Sequence, residues 1–178
     1  PRARAGTEVM TLRLAMPPLL AAALFIGACS DDSSDAGVVP LDPPPARGDL
    51  LALTSLGVMA PDEIAGYLAN FEIDSAAVRF GVEAYRVEYR TIDPEGALTR
   101  ASGLLALPRD GDSVFEQVVW MHGTTVYRGE AASVNEASDA RAAAVFFAAA
   151  GYATTAPDYL GLGLGDGPHP YDHIPSEV

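Results

Sequence analysis

Two strand patterns separated by an alanine-rich helix pattern constrain the fold of this chain more than any other feature. Residues 117–121 are almost entirely apolar, as in a central strand of a parallel sheet that is buried on both faces. Residues 137–150 are dense in alanine and are followed by Gly151, a common helix stop, and residues 152–158 form the next strand pattern. Strand, helix and strand in about forty residues predict a β-α-β unit with parallel strands and a right-handed crossover.

A strand hairpin is predicted upstream of this unit. In residues 83–90, tyrosine and valine alternate with arginine and glutamate, which is the pattern of a strand with one exposed face. Residues 93–96 have turn composition, and residues 101–107 are a second strand pattern that ends at Pro108. The predicted fold class is therefore α/β, with an antiparallel hairpin at the edge and parallel strands in the middle.

Two sites have the composition of helix starts. Pro61 is followed by two acidic residues, which the helix dipole favours in a first turn, and apolar residues follow at helical spacing. We therefore assign residues 49–76 to an N-terminal helical segment. Ser133 and Glu136 have the spacing of a capping box, so we expect Ser133 to cap the alanine-rich helix.

Residues 1–28 have the organisation of a bacterial export signal. Arg13 precedes an apolar run over 14–28, which is shorter than the roughly 20 residues that a membrane-spanning helix needs. The run leads into Ile-Gly-Ala-Cys, which resembles the lipobox of bacterial lipoproteins and makes Cys29 the expected lipidation site. An ordinary secretory signal with an incidental cysteine is the alternative. We expect an exported cell-envelope lipoprotein held at a membrane by acyl chains on Cys29, or else a secreted protein.

Residues 29–48 and the charge of the chain limit its partners. This stretch is rich in Ser, Asp and Pro and lacks the apolar residues of a core, so we interpret it as a tether. The chain carries a formal net charge of -13, and its 11 basic residues are all arginine. Such a composition offers no basic patch for phosphates, which argues against nucleic acid as a partner.

The apolar pattern at 117–121 stops at four residues that are polar or small, namely His122, Gly123, Thr124 and Thr125 (the HGTT corner). Ligands of such sheets lie beyond the carboxyl ends of the strands, where this corner is expected. Gly123 lets the backbone approach a substrate, so that the N–H of Gly123 or Thr124 can point at a carbonyl oxygen. The alternative is a polar turn that caps the strand, with His122 satisfied by backbone groups.

Three stretches carry a family pattern, namely YRVEYRTIDPEGALTRASGLLALP, VVWMHGTT and GYATTAPDYLGLGLGDGPHPYDH. In this order they resemble the α/β-hydrolase fold, and in particular its secretory lipase group, which includes bacterial lipoprotein esterases. The resemblance implies that residues 77–178 are the N-terminal half of such a domain. It further implies hydrolysis of small-molecule or lipid esters through a Ser-His-Asp triad, without a cofactor or metal. One oxyanion donor would come from Gly123 or Thr124, and the second from the N–H after the nucleophile.

The sequence departs from that family in one respect, because no G-x-S-x-G motif occurs in it. The nucleophile and the triad Asp and His would lie beyond the end of the chain. We therefore interpret the chain as an incomplete protein that is inactive alone. None of His122, His169 and His173 is expected to be the catalytic histidine, since family order places that residue after the nucleophile. His122, Thr125, Asp158 and His169 are expected in structural or rim positions, with Asp158 accepting backbone N–H bonds.

Two other interpretations of the C-terminal residues are less favoured. Residues 161–167 alternate with glycine but lack the G-x-G-x-x-G spacing of a nucleotide-binding loop, so we expect a mobile loop bordering the site. His169 and His173 stand near Asp172, but a proline-rich loop gives them no fixed geometry, so we expect no metal.

A non-catalytic binding lipoprotein on the same fold is the alternative function.

In the family, the strands lie across the sheet in the order 1-2-4-3-5, and residues 117–121 would be the third strand. They would then pair with a fifth strand that this chain does not contain. We therefore expect a bare apolar edge, which is an aggregation hazard, and poor solubility of the chain alone.

Overall fold

The computed structural model describes residues 44–110 and 114–170. The predicted signal peptide, the lipidation site Cys29, most of the tether at 29–48 and His173 lie outside the described residues. Within the described ranges, no helix is both long enough and apolar enough to cross a membrane.

The described residues form one mixed sheet with helices packed on it. In chain order the elements are β1 (Leu50–Met59), α1 (Pro61–Ala69), β2 (Gly81–Ile92), β3 (Leu98–Arg109), β4 (Gln117–Val119), a short 3-10 helix (Arg128–Glu130), α2 (Asp139–Ala149) and β5 (Ala153–Pro157). The strand order across the sheet is β1-β2-β3-β5-β4. The pairs β1–β2, β2–β3 and β3–β5 are antiparallel, whereas β5 and β4 are parallel.

The predicted antiparallel hairpin is confirmed as β2 and β3, which pair without interruption along their whole length. The turn between them is closed by the Asp93 side chain, which accepts a hydrogen bond from the Ala97 N–H at 2.7 Å. Both strands extend beyond the predicted ranges 83–90 and 101–107, because the backbone pairing continues up to this turn.

The predicted β-α-β unit is also confirmed, formed by β4, α2 and β5. The two strands pair in parallel, with Val118 opposite Thr154. The chain leaves α2 through Gly151 at a φ of 110°, a conformation that glycine adopts without strain. Parallel pairing places both carboxyl ends at one edge of the sheet, so the HGTT corner after β4 and the residues after β5 become neighbours.

The prediction of a helical segment over 49–76 is wrong for its first part, because residues 50–59 form the edge strand β1. This strand pairs antiparallel with β2, and its register shifts next to Gly57, which has a φ of 116°. The shift interrupts the alternation of side chains between the faces, so no period-two pattern marks the strand in the sequence. The helix α1 begins at Pro61, as predicted.

The predicted capping box does not start α2. The N-cap residue is Ser138, whose side chain makes no capping hydrogen bond. Ser133 is buried, and its hydroxyl donates to the carboxylate of Asp158 instead. The spacing of Ser133 and Glu136 fits a capping box, but a buried carboxylate without hydrogen-bond donors is costly, and Ser133 supplies donors to it.

Both helices cover one face of the sheet and form the core with it. Ile64 and Leu68 of α1 and Val145 of α2 are buried in one cluster with Leu104 and Ala156 of the sheet. Burying an aliphatic side chain of this size contributes about 1.5–3 kcal/mol, so this layer supplies much of the stability of the sheet.

The opposite face of the sheet is not covered by any helix of the described chain. An apolar cleft of about 440 Å³ lies there, and its lining includes Val87, Tyr89, Leu105, Val119 and Met121. Among the described strands, β4 has a neighbour on one side only, and Val119 is 53% exposed. The structure thus has the bare apolar edge that the family strand order led us to expect.

Candidate active site

The HGTT corner lies directly beyond β4, at the end of the parallel strand pair. A hydrogen bond from the Trp120 N–H to the Thr155 carbonyl oxygen (2.8 Å) extends the pairing of β4 with β5 by one residue. Tyr159 follows β5 closely, and its side chain contacts His122. The ends of both parallel strands therefore contribute to the candidate site.

Gly123 and Thr124 lie at the surface of the described structure. Both residues are exposed, and a Cβ atom placed on Gly123 would meet nothing within 4 Å. In the part of the chain that the structure describes, no acceptor takes a hydrogen bond from either N–H. Two adjacent amide donors in this state can bind an anion or the oxygen of a polarised carbonyl group.

His122 and Tyr159 hold the corner together. Their rings stack with centroids 4.0 Å apart and planes inclined by 26°. The Tyr159 hydroxyl donates to the His122 carbonyl oxygen at 3.0 Å, and His122 Nδ1 lies 2.7 Å from the Gly123 carbonyl oxygen. A carbonyl oxygen only accepts, so this short contact requires the proton on Nδ1. The His122 side chain thus bonds a backbone carbonyl group, as in a polar turn. The N–H groups of Gly123 and Thr124 nevertheless have no acceptor among the described residues.

Asp158 is completely buried, and structural hydrogen bonds occupy its carboxylate. Ser102 Oγ donates to Oδ2 at 2.6 Å, and the Ser133 N–H donates to Oδ1 at 3.1 Å. The Ser133 hydroxyl also donates to Oδ2. The carboxylate therefore joins β3, the segment before α2 and the end of β5. No oxygen of this carboxylate is exposed to a substrate, and a backbone N–H is among its donors.

Residues 161–167 (the glycine loop) are hydrogen-bonded to Arg128 and Ser102. The Arg128 guanidinium donates to the carbonyl oxygens of Gly165 (2.7 Å) and Gly167 (3.1 Å). The Ser102 hydroxyl accepts a hydrogen bond from the Leu164 N–H at 2.9 Å. These bonds hold the loop backbone against Arg128 and Ser102, while the expected mobility of the loop stays a prediction. Since glycine has no side chain, the loop backbone approaches these polar groups closely enough to bond them.

Arg100 joins the glycine loop to the hairpin. Its Nη2 lies 2.8 Å from Asp166 Oδ1, and its Nη1 lies 3.2 Å from Glu88 Oε2. The Asp166 N–H also donates to the Arg100 carbonyl oxygen at 2.9 Å. The hydrogen bond with Asp166 raises the pKa of the Arg100 guanidinium above its ordinary value. Backbone and side-chain contacts together fix this end of the loop.

Thr125 and His169, the other predicted rim residues, are half-buried and bond backbone groups. Thr125 Oγ1 accepts a long hydrogen bond from the Tyr127 N–H (3.4 Å), and His169 Nδ1 lies 2.8 Å from the Leu160 carbonyl oxygen. Over residues 44–110 and 114–170, no three His, Cys, Asp or Glu side chains are grouped so that they could hold a metal ion.

The residues that organise the site but were missed from the sequence include Ser102, Ser133, Arg128 and Tyr159. Ser102 interrupts an apolar strand pattern, and a lone hydroxyl in such a strand indicates a buried polar partner. Ser133 carried a signal that was interpreted as a helix cap. Arg128 stands in a polar stretch where nothing distinguishes it from a solvated surface residue.

A mixed sheet of this strand order, with open amides beyond the parallel edge strand, is the arrangement of an α/β-hydrolase-like chain. The chain is similar to the rice cell wall degrading esterase LipA from Xanthomonas oryzae, with 33% identity and a TM-score of 0.61 over 74% of this chain. A Legionella pneumophila protein assigned to the hydrolases matches 66% of the chain at 30% identity, with a TM-score of 0.56. No family model and no curated protein matches the chain.

These similarities show that the chain is related to α/β-hydrolase-like esterases. They confirm both the family resemblance and the fold class that the sequence indicates. The chain spans only about one third of the solved structures it matches, 34% of LipA and 32% of the Legionella protein.

Proposed function

We propose that this chain is the N-terminal part of a serine carboxylesterase or lipase. The observation that carries the proposal is the pair of amides at Gly123 and Thr124, which have no partner among the described residues. They lie beyond the carboxyl end of β4, where ligands of such sheets bind. Similarity to a solved esterase supports the same class of chemistry.

In the proposed reaction, the corner stabilises the negative charge that develops on the substrate. A serine in the part of the protein after this chain attacks the ester carbonyl carbon, and a histidine accepts the serine proton. The carbonyl oxygen becomes an oxyanion, which accepts hydrogen bonds from the N–H of Gly123 or Thr124 and from the N–H after the serine. One such donor lowers the barrier by roughly 2.7–4 kcal/mol.

The remaining steps return the enzyme to its starting state. The histidine gives its proton to the departing alcohol, which leaves an acyl-serine ester. Water then attacks this ester while the histidine accepts a proton from it, and the same amides stabilise the second oxyanion. The carboxylic acid leaves, and the serine regains its proton. Asp158 takes no part in these steps, since its carboxylate is buried among Ser102 and Ser133.

The proposed enzyme acts outside the cytoplasm on small-molecule or lipid esters. Residues 1–28 would direct export, and acyl chains on Cys29 would hold the protein at a bacterial membrane. The acidic, proline-rich tether at 29–48 would separate the hydrolase domain from that membrane. Without lipidation the same protein would be secreted.

The test begins with the coding sequence that follows Val178. We expect an apolar strand followed by G-x-S-x-G, with the triad Asp and His further on. The complete protein should hydrolyse p-nitrophenyl butyrate, and replacing the motif serine with alanine should abolish turnover. In the same assay, the chain of 178 residues should be inactive. A glycine or alanine in place of the serine, together with no turnover, would support the binding lipoprotein instead.

A further inference from the structure

The HGTT corner contains two successive peptide units whose carbonyl oxygens are both held by side chains. In the first unit, the His122 carbonyl oxygen accepts a hydrogen bond from the Tyr159 hydroxyl at 3.0 Å. In the second unit, the Gly123 carbonyl oxygen accepts from His122 Nδ1 at 2.7 Å. The described chain has no cis peptide bond, so in each unit the N–H points away from the carbonyl oxygen. Holding the two oxygens therefore sets the directions of the Gly123 and Thr124 N–H groups.

Among the described residues, no helix or strand fixes these peptide units. Residues 120–127 belong to neither kind of element, and Gly123 has no side chain to pack. Glycine adopts a wide range of φ and ψ, so both peptide planes beside it would otherwise rotate easily. The hydrogen bonds from His122 and Tyr159 are the contacts that oppose this freedom.

Tyr159 is itself held in one position. It directly follows Asp158, whose carboxylate accepts bonds from two buried serines. Its φ of 67° lies in the left-handed region, which a residue with a side chain occupies only where the surrounding structure enforces it. Its ring also stacks on His122. The Tyr159 hydroxyl is therefore held in one position relative to the HGTT corner.

We propose that Tyr159 and His122 are positioning residues that set the directions of the two corner amides, so that one of them donates to the substrate's carbonyl oxygen. This inference rests on the ester hydrolase function proposed above. N–H donors that already have the correct direction stabilise the negative charge of the transition state without first reorganising, whereas the uncharged ester gains little from them. A change in the direction of these N–H groups therefore lowers kcat and leaves KM nearly unchanged.

The test uses Tyr159→Phe in the complete protein, because this variant loses the hydroxyl and keeps a ring on His122. We expect kcat for p-nitrophenyl butyrate to fall by roughly 10- to 100-fold at constant KM, as for a small misplacement of a catalytic donor. The affinity for an alkyl boronic acid, which becomes tetrahedral on the serine, should fall in parallel. His122→Phe keeps a stacked ring without Nδ1 and should show the same pattern. Tyr152→Phe, before the start of β5, is the matched control and should leave kcat unchanged.

A tyrosine with a merely structural role would alter Tm or KM together with kcat, so both are measured for each variant. An unchanged kcat in Tyr159→Phe, or an equal loss in Tyr152→Phe, overturns the proposal. If the wild-type protein hydrolyses no ester, the proposed function fails by itself. The positioning role is then judged from a crystal structure of Tyr159→Phe, in which the peptide between residues 122 and 123 must have turned. A peptide in its original orientation refutes it.

Discussion

Gly163 is the residue at which backbone conformation and packing act together. Its φ is 54°, in the left-handed region that favours glycine. A Cβ atom there would collide with the Asp158 carboxylate and would lie 2.7 Å from the Ser102 hydroxyl. The glycine loop therefore reaches the buried carboxylate only because no side chain stands between them.

Gly163→Ala should lower the free energy of unfolding more than Gly167→Ala does. Gly167 also has a positive φ, of 72°, but a Cβ atom there would meet nothing within 4 Å. Its replacement introduces conformational strain alone, about 1–2 kcal/mol. Gly163→Ala adds overpacking against fixed polar groups, which costs about 1–3 kcal/mol more. Urea unfolding of both variants in the complete protein measures the difference, and equal losses would contradict the packing described for Gly163.

At this scale the sequence reveals only part of the candidate site. The HGTT corner is visible because polar and small residues abruptly end an apolar strand pattern, a local signal. The partners of Asp158 are not visible in the same way, because Ser102 is 56 positions away and Ser133 is 25 positions away. Which serine meets which carboxylate depends on how the strands pair, and no local pattern encodes that.

At the scale of elements, β4 is the strand that most affects the behaviour of the isolated chain. It has a single described neighbour, β5, and its residue Val119 is largely exposed beside the apolar cleft. An unpaired edge that is also apolar is a template for pairing with another chain. We therefore expect the chain alone to self-associate through this edge.

Val119→Lys should reduce that self-association, because a charged side chain on an edge strand opposes pairing with a second copy. Val114→Lys is the control, since Val114 is 85% exposed but lies outside the strands. Analytical ultracentrifugation of the chain alone compares the two variants with the wild type. A monomeric wild-type chain, or equal effects of both lysines, would show that β4 is not the contact.

The elements that the sequence predicts well are those with a strong local signal. The strand β2 has an alternating pattern, whereas the unit of β4, α2 and β5 is marked by an apolar run, an alanine-rich stretch and the stop at Gly151, and both the hairpin and the unit are present. The strand β1 was missed because its register shift near Gly57 breaks the alternation on which strand prediction depends. The start of α2 was misplaced because Ser133 bonds the distant Asp158 rather than the helix end.

At the scale of the whole molecule, charge and lipidation have opposite effects on membrane binding. The chain carries a formal net charge of -13, so electrostatic attraction to an anionic membrane surface cannot hold it there. Acyl chains gain about 0.8 kcal/mol for each buried methylene, and more than one chain is needed for stable attachment. The proposed anchoring therefore depends on Cys29 alone.

Cys29→Ser should move the complete protein from the membrane fraction to the soluble fraction of cells that express it. Ser34→Ala, a substitution of similar size in the tether, should leave it in the membrane fraction. Immunoblots of the separated fractions measure the distribution, and mass spectrometry of the wild type should find acyl chains on Cys29. Membrane attachment that persists in Cys29→Ser would contradict lipidation as the anchor.

The buried carboxylate of Asp158 also determines when the corner can form during folding. Ser102, one of its donors, in turn bonds Leu164, which is 62 positions away along the chain. Closing loops of this length loses chain entropy before any of these bonds can offset it. We therefore expect these contacts to form after the local hairpin, so the amide geometry of the corner should arise late in folding.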